Sequence, residues 1–524
     1  MATLGEALVK GLEAYGIDTV FGIPGVHTVE LYRGLAGSSI RHVTPRHEQG
    51  AGFMADGYYR ATGRVAAAFV ITGPGVTNIL TPMAQAYADS IPMLVVSSVN
   101  RTEVLGMGGD LHEIRNQGLI AAQAAAFSHT ITHPAQLGPV LARAFAVFES
   151  ARPRPVHIQV PLDLFAAEVG QPAWHRAEHP RQSCATASDA ASMLAHAECP
   201  LILAGGGSQG ADVAALSTRL DAPVITTVNA RGNGGPLEVP ASPSLSAIRS
   251  AIADADVVLA LGTEIGRTDF DMYDAGGFDI PGRLIRVDID PEGTVHGPVP
   301  EIAIAGDAGQ IVEAWIEQLG GAATAKGGAK RADELRTASR HEIGPKYRKI
   351  VDFLEATRDI LPEAPIVCDS TQAAYAGNLY YAAPAPRKWF NASTGYGALG
   401  YGLPAAIGAA RGLDAPVVCI CGDGGLQFSM AELGCAVEEG LPLILLVWNN
   451  QGYGEIKDYM VSKQIAPVGV DLHTPDFVAI GKAYGCEALS LESVDDLPAL
   501  LSEAAGRGGP TVIEIDEAFV LREN

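Results

Sequence analysis

Along the chain, short runs of consecutive apolar residues alternate with longer stretches in which apolar positions recur every three or four residues. The runs are VAAAFVIT (65–72), MLVVSSV (93–99), VHIQVP (156–161), PLILAG (200–205), DVVLALG (256–262), LIRVDID (284–290), PVVCIC (416–421) and LILLVWN (443–449). They are too short for helices and lack polar alternation. They therefore predict strands buried on both faces, and such strands belong to parallel sheets covered by helices. The fold class predicted is α/β, built of doubly wound parallel sheets. Two stretches interrupt the pattern. EVGQPAWHRAEHPRQ (168–182) is polar with two prolines, and GGAATAKGGAKRADELRTASRHE (320–342) is rich in Gly, Ala and charge. Read as linkers, they divide the chain into three units, 1–167, 183–320 and 343–524. No short-period repeat is visible.

Composition acts mainly by exclusion. A chain of 524 residues with 48% hydrophobic and 18% charged residues is ordinary for an α/β protein. A net charge of −23 argues against nucleic acid and anionic membrane as partners, since both select basic surfaces. The start, MATLGEALVKGLEAYGIDTVFG, reads as an amphipathic helix leading into a strand, not as a signal peptide. No apolar run reaches the roughly eighteen residues of a membrane span. The cytoplasm is the expected compartment. The seven cysteines form no paired CxxC motifs that would suggest zinc. Cys419 and Cys421, two apart in PVVCIC, are expected to be buried packing residues.

Two segments carry chemistry. In RHEQGAGFMADGYYRATG (46–63), the preceding SIRHVTP reads as a short strand, and Phe53, Met54, Tyr58 and Ala61 that follow have helical spacing. Glu48 thus lies at a strand-to-helix junction on the rim of an α/β layer, where ligands bind. Alone, it is equally a first-turn glutamate favoured by the helix dipole. The second segment, CGDGGLQFSMAELGCAVEEGLPLILLVWNNQGYGEI (421–456), places Asp423 and Asn450 at the ends of neighbouring strands, one βαβ crossover apart. A carboxylate, an amide oxygen and a free backbone carbonyl suit Mg²⁺, which keeps further positions for phosphate oxygens. Gly424 and Gly425 let the backbone approach a diphosphate.

With these segments in hand, the sequence resembles the thiamine-diphosphate (ThDP) enzymes of the acetolactate synthase and 2-oxo acid decarboxylase group. The GDG…NN segment matches that family's ThDP–magnesium motif, and residues 46–63 its N-terminal signature. TGPGVTNILTPMAQAYADSIPML (72–94) and FNASTGYGALGYGLPAAIGAA (390–410) continue the match over nearly the whole chain. The resemblance implies a pyrimidine-binding, a central and a diphosphate-binding domain in that order. It implies that Glu48 hydrogen-bonds the pyrimidine ring and promotes loss of the thiazolium C2 proton. The reaction would then run through ylide addition to a 2-oxo acid and an enamine. Leu399 would wedge the cofactor into its bent form, and the Gly397 carbonyl would accept from its amino group. Mg²⁺ would be held by Asp423, the Asn450 side chain and the Gly452 carbonyl. Glu48 and Asp423 would face one cofactor from two subunits, so a homodimer is the minimum, with a homotetramer in keeping.

The departures from the family direct the choice of substrate. Pyruvate decarboxylases carry an acidic residue after the FGxPG turn and a His-His pair. Here Val26 follows the turn and the pair is reduced to Leu111-His112, so a relay of that type is expected to be absent or reduced. His112 remains a candidate for substrate contact beside a cap or surface role. Acetolactate synthases carry an arginine for the second substrate; the nearest here, Arg267, is out of register by one. Where they place Met, Val and Trp over the substrate, this chain has Glu455, Ile456 and Tyr459. A carboxylate in an apolar pocket needs a partner, and a guanidinium on the substrate is the best one. A decarboxylase of 5-guanidino-2-oxopentanoate is therefore expected, with acetolactate synthesis as one alternative and a ThDP-binding protein without turnover as another. In the central unit, LILAGGGSQG (201–210) and RVDIDP (286–291) correspond to the place where acetolactate synthases hold FAD. The glycine run by itself favours a tight βα turn.

Overall fold

The computed structural model describes residues 2–170, 174, 186–272, 277–321 and 325–522. It contains three six-stranded sheets, all parallel. In the first, the spatial order is Arg41–Val43, Thr19–Gly22, Ala67–Val70, Leu94–Val99, Val156–Pro161, Phe127–Thr130. In the third it is Trp389–Asn391, Ile366–Cys368, Val417–Gly422, Leu443–Asn449, Thr511–Asp516, Glu487–Ser490. Counted along the chain within each sheet, both orders read 2-1-3-4-6-5. The central sheet reads 3-2-1-4-5-6, the order of dinucleotide-binding folds. Each predicted apolar run is a strand, displaced by at most two residues at an end. Strands such as Ile366–Cys368 and Trp389–Asn391 are three residues long and left no pattern in the sequence.

Four helices position the site. They are α1 (Glu48–Thr62), α2 (Pro74–Ala88), α3 (Gly402–Leu413) and α4 (Gly454–Ser462). The His47 ring accepts the Gln49 N–H at 3.0 Å and caps α1. Gly63, at φ 73°, ends it in the left-handed conformation that glycine adopts without penalty. Helix α1 is buried on almost every side because α3 crosses it at backbone contact. A side chain at Gly57 would run into the Ala405 carbonyl, and one at Gly408 into the Met54 carbonyl. Through this crossing the first and third domains share one core that includes Phe53, Met54, Tyr58, Tyr401, Leu403 and Ile407.

Most of the polar stretch at 168–182 lies outside the described residues; Trp174 packs near Gly11. The stretch predicted as a linker over 320–342 is helical over Gly328–Glu342. Its charges pair along the helix, Lys330 with Glu334 and Arg336 with Asp333. Arg336 donates to the Glu238 carbonyl at 2.7 Å, and Arg340 reaches Glu355 at 2.8 Å. The segment is thus a helical bridge between the central and third domains. Cys419 and Cys421 are fully buried with their sulfurs 3.5 Å apart.

Candidate active site

The carboxyl ends of the third sheet gather the first group of side chains. Gly422 pairs with Trp448 in adjacent strands, so Asp423 and Asn449-Asn450 leave the sheet side by side. Asp423 is buried, and the N–H groups of Gly424, Asn450 and Gly452 point at its carboxylate. The Asn450 side-chain amide lies 3.2 Å from Asp423 Oδ1 and 2.9 Å from the Gly452 carbonyl. A carboxylate, an amide and a backbone carbonyl thus converge, spaced like the edge of an octahedron of oxygens about 2.1 Å from its centre, roughly 3 Å. With the amide oxygen turned inward, this donor set fits Mg²⁺. Burial pushes the Asp423 carboxyl up, which is the penalty a cation removes. Gly452 must be glycine: at φ 144°, a side chain there would strike the Val470 carbonyl. At Gly424 a side chain would meet the Tyr453 ring at 2.7 Å.

Beside this cradle runs the loop before α3. Gly397 and Gly400 take φ 74° and 78°. The Gly397 N–H donates to the Ala392 carbonyl at 3.0 Å and the Ala398 N–H to Gln85 Oε1 at 3.1 Å. Asp369, fully buried, accepts the N–H groups of Gly400 at 3.2 Å and Gly402 at 2.9 Å. Burial raises its carboxyl to about 6. Leu399 is thereby presented, half-buried, on a loop fixed at both ends, and Gly397 lies exposed beside it.

Glu48 opens α1 and accepts from Asn78 Nδ2 of α2 at 2.9 Å. The start of α1 is held from the third domain by Glu432, which accepts the N–H groups of Arg46 at 3.0 Å and His47 at 3.1 Å. A side chain at Gly50 would collide with that carboxylate. Glu432 and Asp369 escaped the sequence reading because each acts through backbone far away along the chain.

Glu455 lies half-buried in the first turn of α4, where Gln372 Nε2 donates to it at 2.7 Å. Lys457, its near neighbour in sequence, pairs instead with Asp471 at 2.6 Å. Among the described residues no cation pairs with Glu455. Tyr459, one turn on, is 61% exposed. Arg267 lies in the central domain and pairs with Asp271 at 3.2 Å. His112, at φ 61°, stands on the loop between Val99 and Gln117, its ring edge-on to that of His27 with centroids 5.2 Å apart. His27 gave no signal of its own in the sequence; it becomes notable only because two distant loops bring it to His112.

In the central domain, the glycines of 205–207 make close backbone contacts and also line a cavity with Thr227, Gly262 and Asp288. The Gly207 N–H donates to the Gly262 carbonyl at 2.9 Å, and a side chain at Gly205 would collide with Gly262 and Thr263.

A parallel-sheet domain with an acid at one carboxyl edge, and a second with an oxygen cradle fit for a metal diphosphate, define a cofactor enzyme. The chain belongs to the thiamine pyrophosphate enzymes. Residues 2–119 match the family's N-terminal TPP binding domain, 187–315 its central domain and 369–515 its C-terminal TPP binding domain. The chain is 46% identical to the "Probable 2-ketoarginine decarboxylase" of Pseudomonas aeruginosa, over 98% of this chain and 94% of that protein. It is 29% identical to the acetolactate synthase isozyme 3 large subunit of Escherichia coli, over 95% and 91% of the two chains. A "Probable acetolactate synthase large subunit" of Methanococcus aeolicus is also 29% identical, over 98% and 91%.

Proposed function

We propose that this enzyme decarboxylates a 2-oxo acid with a guanidinium tail, 5-guanidino-2-oxopentanoate, to 4-guanidinobutanal and CO₂. The observation that carries the reading is Glu455. It is half-buried at the mouth of the cradle, held by the neutral Gln372 and left without a cation among the described residues. A carboxylate kept in that state suits a charged, bidentate donor brought by the substrate. The similarity to the Pseudomonas protein supports the same substrate.

Asp423, the Asn450 side chain and the Gly452 carbonyl would hold Mg²⁺, with Gly424 and Gly425 leaving room for a diphosphate. Leu399 and the Gly397 carbonyl would orient the bound cofactor. When bound, ThDP supplies a nucleophilic carbon and an electron sink. Glu48, oriented by Asn78 and by the Glu432 brace on its helix, would hold the proton at the pyrimidine edge. A homodimer, and its pairing into a tetramer, is part of this reading. Large apolar side chains stand exposed around the carboxyl edges of both outer sheets, among them Met107 at 78%, Phe428 at 56% and Tyr396 at 55%. A second copy would cover them.

The test offers pyruvate and the guanidino acid side by side, with ThDP and Mg²⁺, and follows products by NMR. Rapid conversion of the guanidino acid with pyruvate nearly inert is expected. Acetolactate from pyruvate with the guanidino acid untouched would replace this reading by acetolactate synthesis; cofactor binding without CO₂ release would make the chain a binding protein. Glu455→Gln should raise KM for the guanidino acid by about thirtyfold, the loss of about 2 kcal/mol of charge-assisted bonding, and leave that for pyruvate within twofold.

A further inference from the structure

The loop that carries Gly397 and Leu399 belongs to the third domain, but it is held from the first. Gln85, fully buried, lies in the last turn of α2, and Asp89 caps that helix. Gln85 Nε2 donates to Asp89 Oδ2 at 2.6 Å. This fixes the amide with its oxygen toward the loop, where it accepts the Ala398 N–H at 3.1 Å. Asp89 takes the other end of the same stretch. Its Oδ2 accepts the Thr394 hydroxyl at 2.7 Å and its Oδ1 the Gly395 N–H at 3.2 Å. The fit is close, because a side chain at Gly395 would stand 2.8 Å from Ala88 Cβ. Behind Asp89, the buried Arg60 donates to it at 2.7 Å and to Asp56 at 2.6 Å, so the clamp is itself held in place.

Burial does not fix this loop. Residues 395 to 397 are exposed, and Gly397 and Gly400 take positive φ values that free glycines leave readily. Its conformation therefore depends on polar bonds to groups that are rigid themselves, and Gln85 and Asp89 supply three of them.

We infer that Gln85 and Asp89 are positioning residues for the reaction. From the first domain they fix where the Gly397 carbonyl and the Leu399 side chain stand, and so the shape in which the cofactor is held. They touch neither cofactor nor substrate and act only through the loop. This inference rests on the reading that the loop orients ThDP, not on the identity of the oxo acid.

The test compares Gln85→Met and Thr394→Val, each close to its original in size, with the wild type. Because α2 also carries Asn78, the partner of Glu48, a variant outside α2 is needed, and Thr394 provides it. Asn229→Ala is the control. It removes the bond from Arg60 into the central domain, on the side of the same buried cluster away from the loop. Without cofactor or metal, backbone amides of 394–398 should exchange with solvent about tenfold faster in both variants and at the wild-type rate in Asn229→Ala. With saturating ThDP and Mg²⁺, hydrogen–deuterium exchange at the thiazolium C2 should slow about thirtyfold in both, the scale expected when a small displacement spoils a reacting geometry. ThDP affinity should stay within about threefold, since Asp423, Asn450 and Gly452 are untouched. Should Gln85→Met fail to fold, Thr394→Val decides alone. Unchanged protection of 394–398, unchanged C2 exchange at saturating cofactor, or equal slowing in Asn229→Ala would overturn the inference and leave the cofactor reading standing. A wild type that exchanges C2 no faster than free ThDP would remove both.

Discussion

Asn450 brings its side-chain amide between the Asp423 carboxylate and the Gly452 carbonyl. A carboxylate, an amide oxygen and a backbone carbonyl are the ligands a hard cation takes. Asp423→Ala should therefore abolish Mg²⁺-dependent ThDP binding, read by calorimetry with and without the metal; wild-type affinity in that variant would remove the cradle from the mechanism. At this scale the sequence was most informative where neighbours along the chain make the site. The GDG and NN pairs stand at the ends of adjacent strands, so their spacing alone implied their meeting. Glu48 was legible from a strand running into a helix. Glu432, Asp369, Gln372 and His27 were not. Each gains its role from a partner on another element, and nothing in its own surroundings along the chain distinguishes it from an ordinary core or surface residue.

At the scale of elements, the start of α1 is fixed by a carboxylate from another domain. Burial pushes Glu432 up to about 7 from its usual 4.5, although the N–H groups of Arg46 and His47 pull it down. A carboxyl raised in this way favours the fold in its neutral form. That contribution is complete below pH about 4.5 and is lost as pH rises through about 7. Glu432→Gln, neutral throughout and still able to accept both N–H groups, should be free of this loss. Between pH 5 and 8 the wild type should lose on the order of 2 kcal/mol relative to the variant, read as a difference in thermal midpoints. Parallel temperature curves at the two pH values would show that Glu432 is ionised in the fold. Element types were legible where apolar runs reached five or more residues. The three-residue strands Ile366–Cys368 and Trp389–Asn391 were not, although Arg41–Val43 was read from SIRHVTP, and the helical bridge at Gly328–Glu342 was hidden because Gly, Ala and charge read as linker when no apolar face is present.

The whole molecule is tied together by a buried polar cluster. Arg60 reaches Asp56 at 2.6 Å, Asp89 at 2.7 Å and Asn229 of the central domain at 2.9 Å. Tyr401 and Thr394 of the third domain bond the same two aspartates. Removing the guanidinium alone would strand two buried carboxylates. Against that rigid chain, the proposed dimer makes a quantitative prediction. If Glu48 of one copy and Asp423 of another serve one site, then Glu48→Gln and Asp423→Ala chains, each inactive alone, should complement when co-expressed. Random pairing makes about half the dimers hybrid, each with one unimpaired site of two, so activity should return to about a quarter of wild type. A mixture as inactive as its components would place both residues in a site within one chain.

The matching strand orders of the two outer sheets carry a consequence beyond catalysis. Helix α1 follows the second strand of its sheet, and α3 follows the second strand of the other. They cross at Gly57 and Gly408, each glycine admitting the other helix's backbone. Equivalent elements meeting through equivalent contacts is the mark of an isologous interface. The chain is thus folded on itself as a two-fold pair of like domains would be, with the central domain between them along the chain. The two halves differ in what their loops carry: one presents Glu48, the other Asp423 and Asn450.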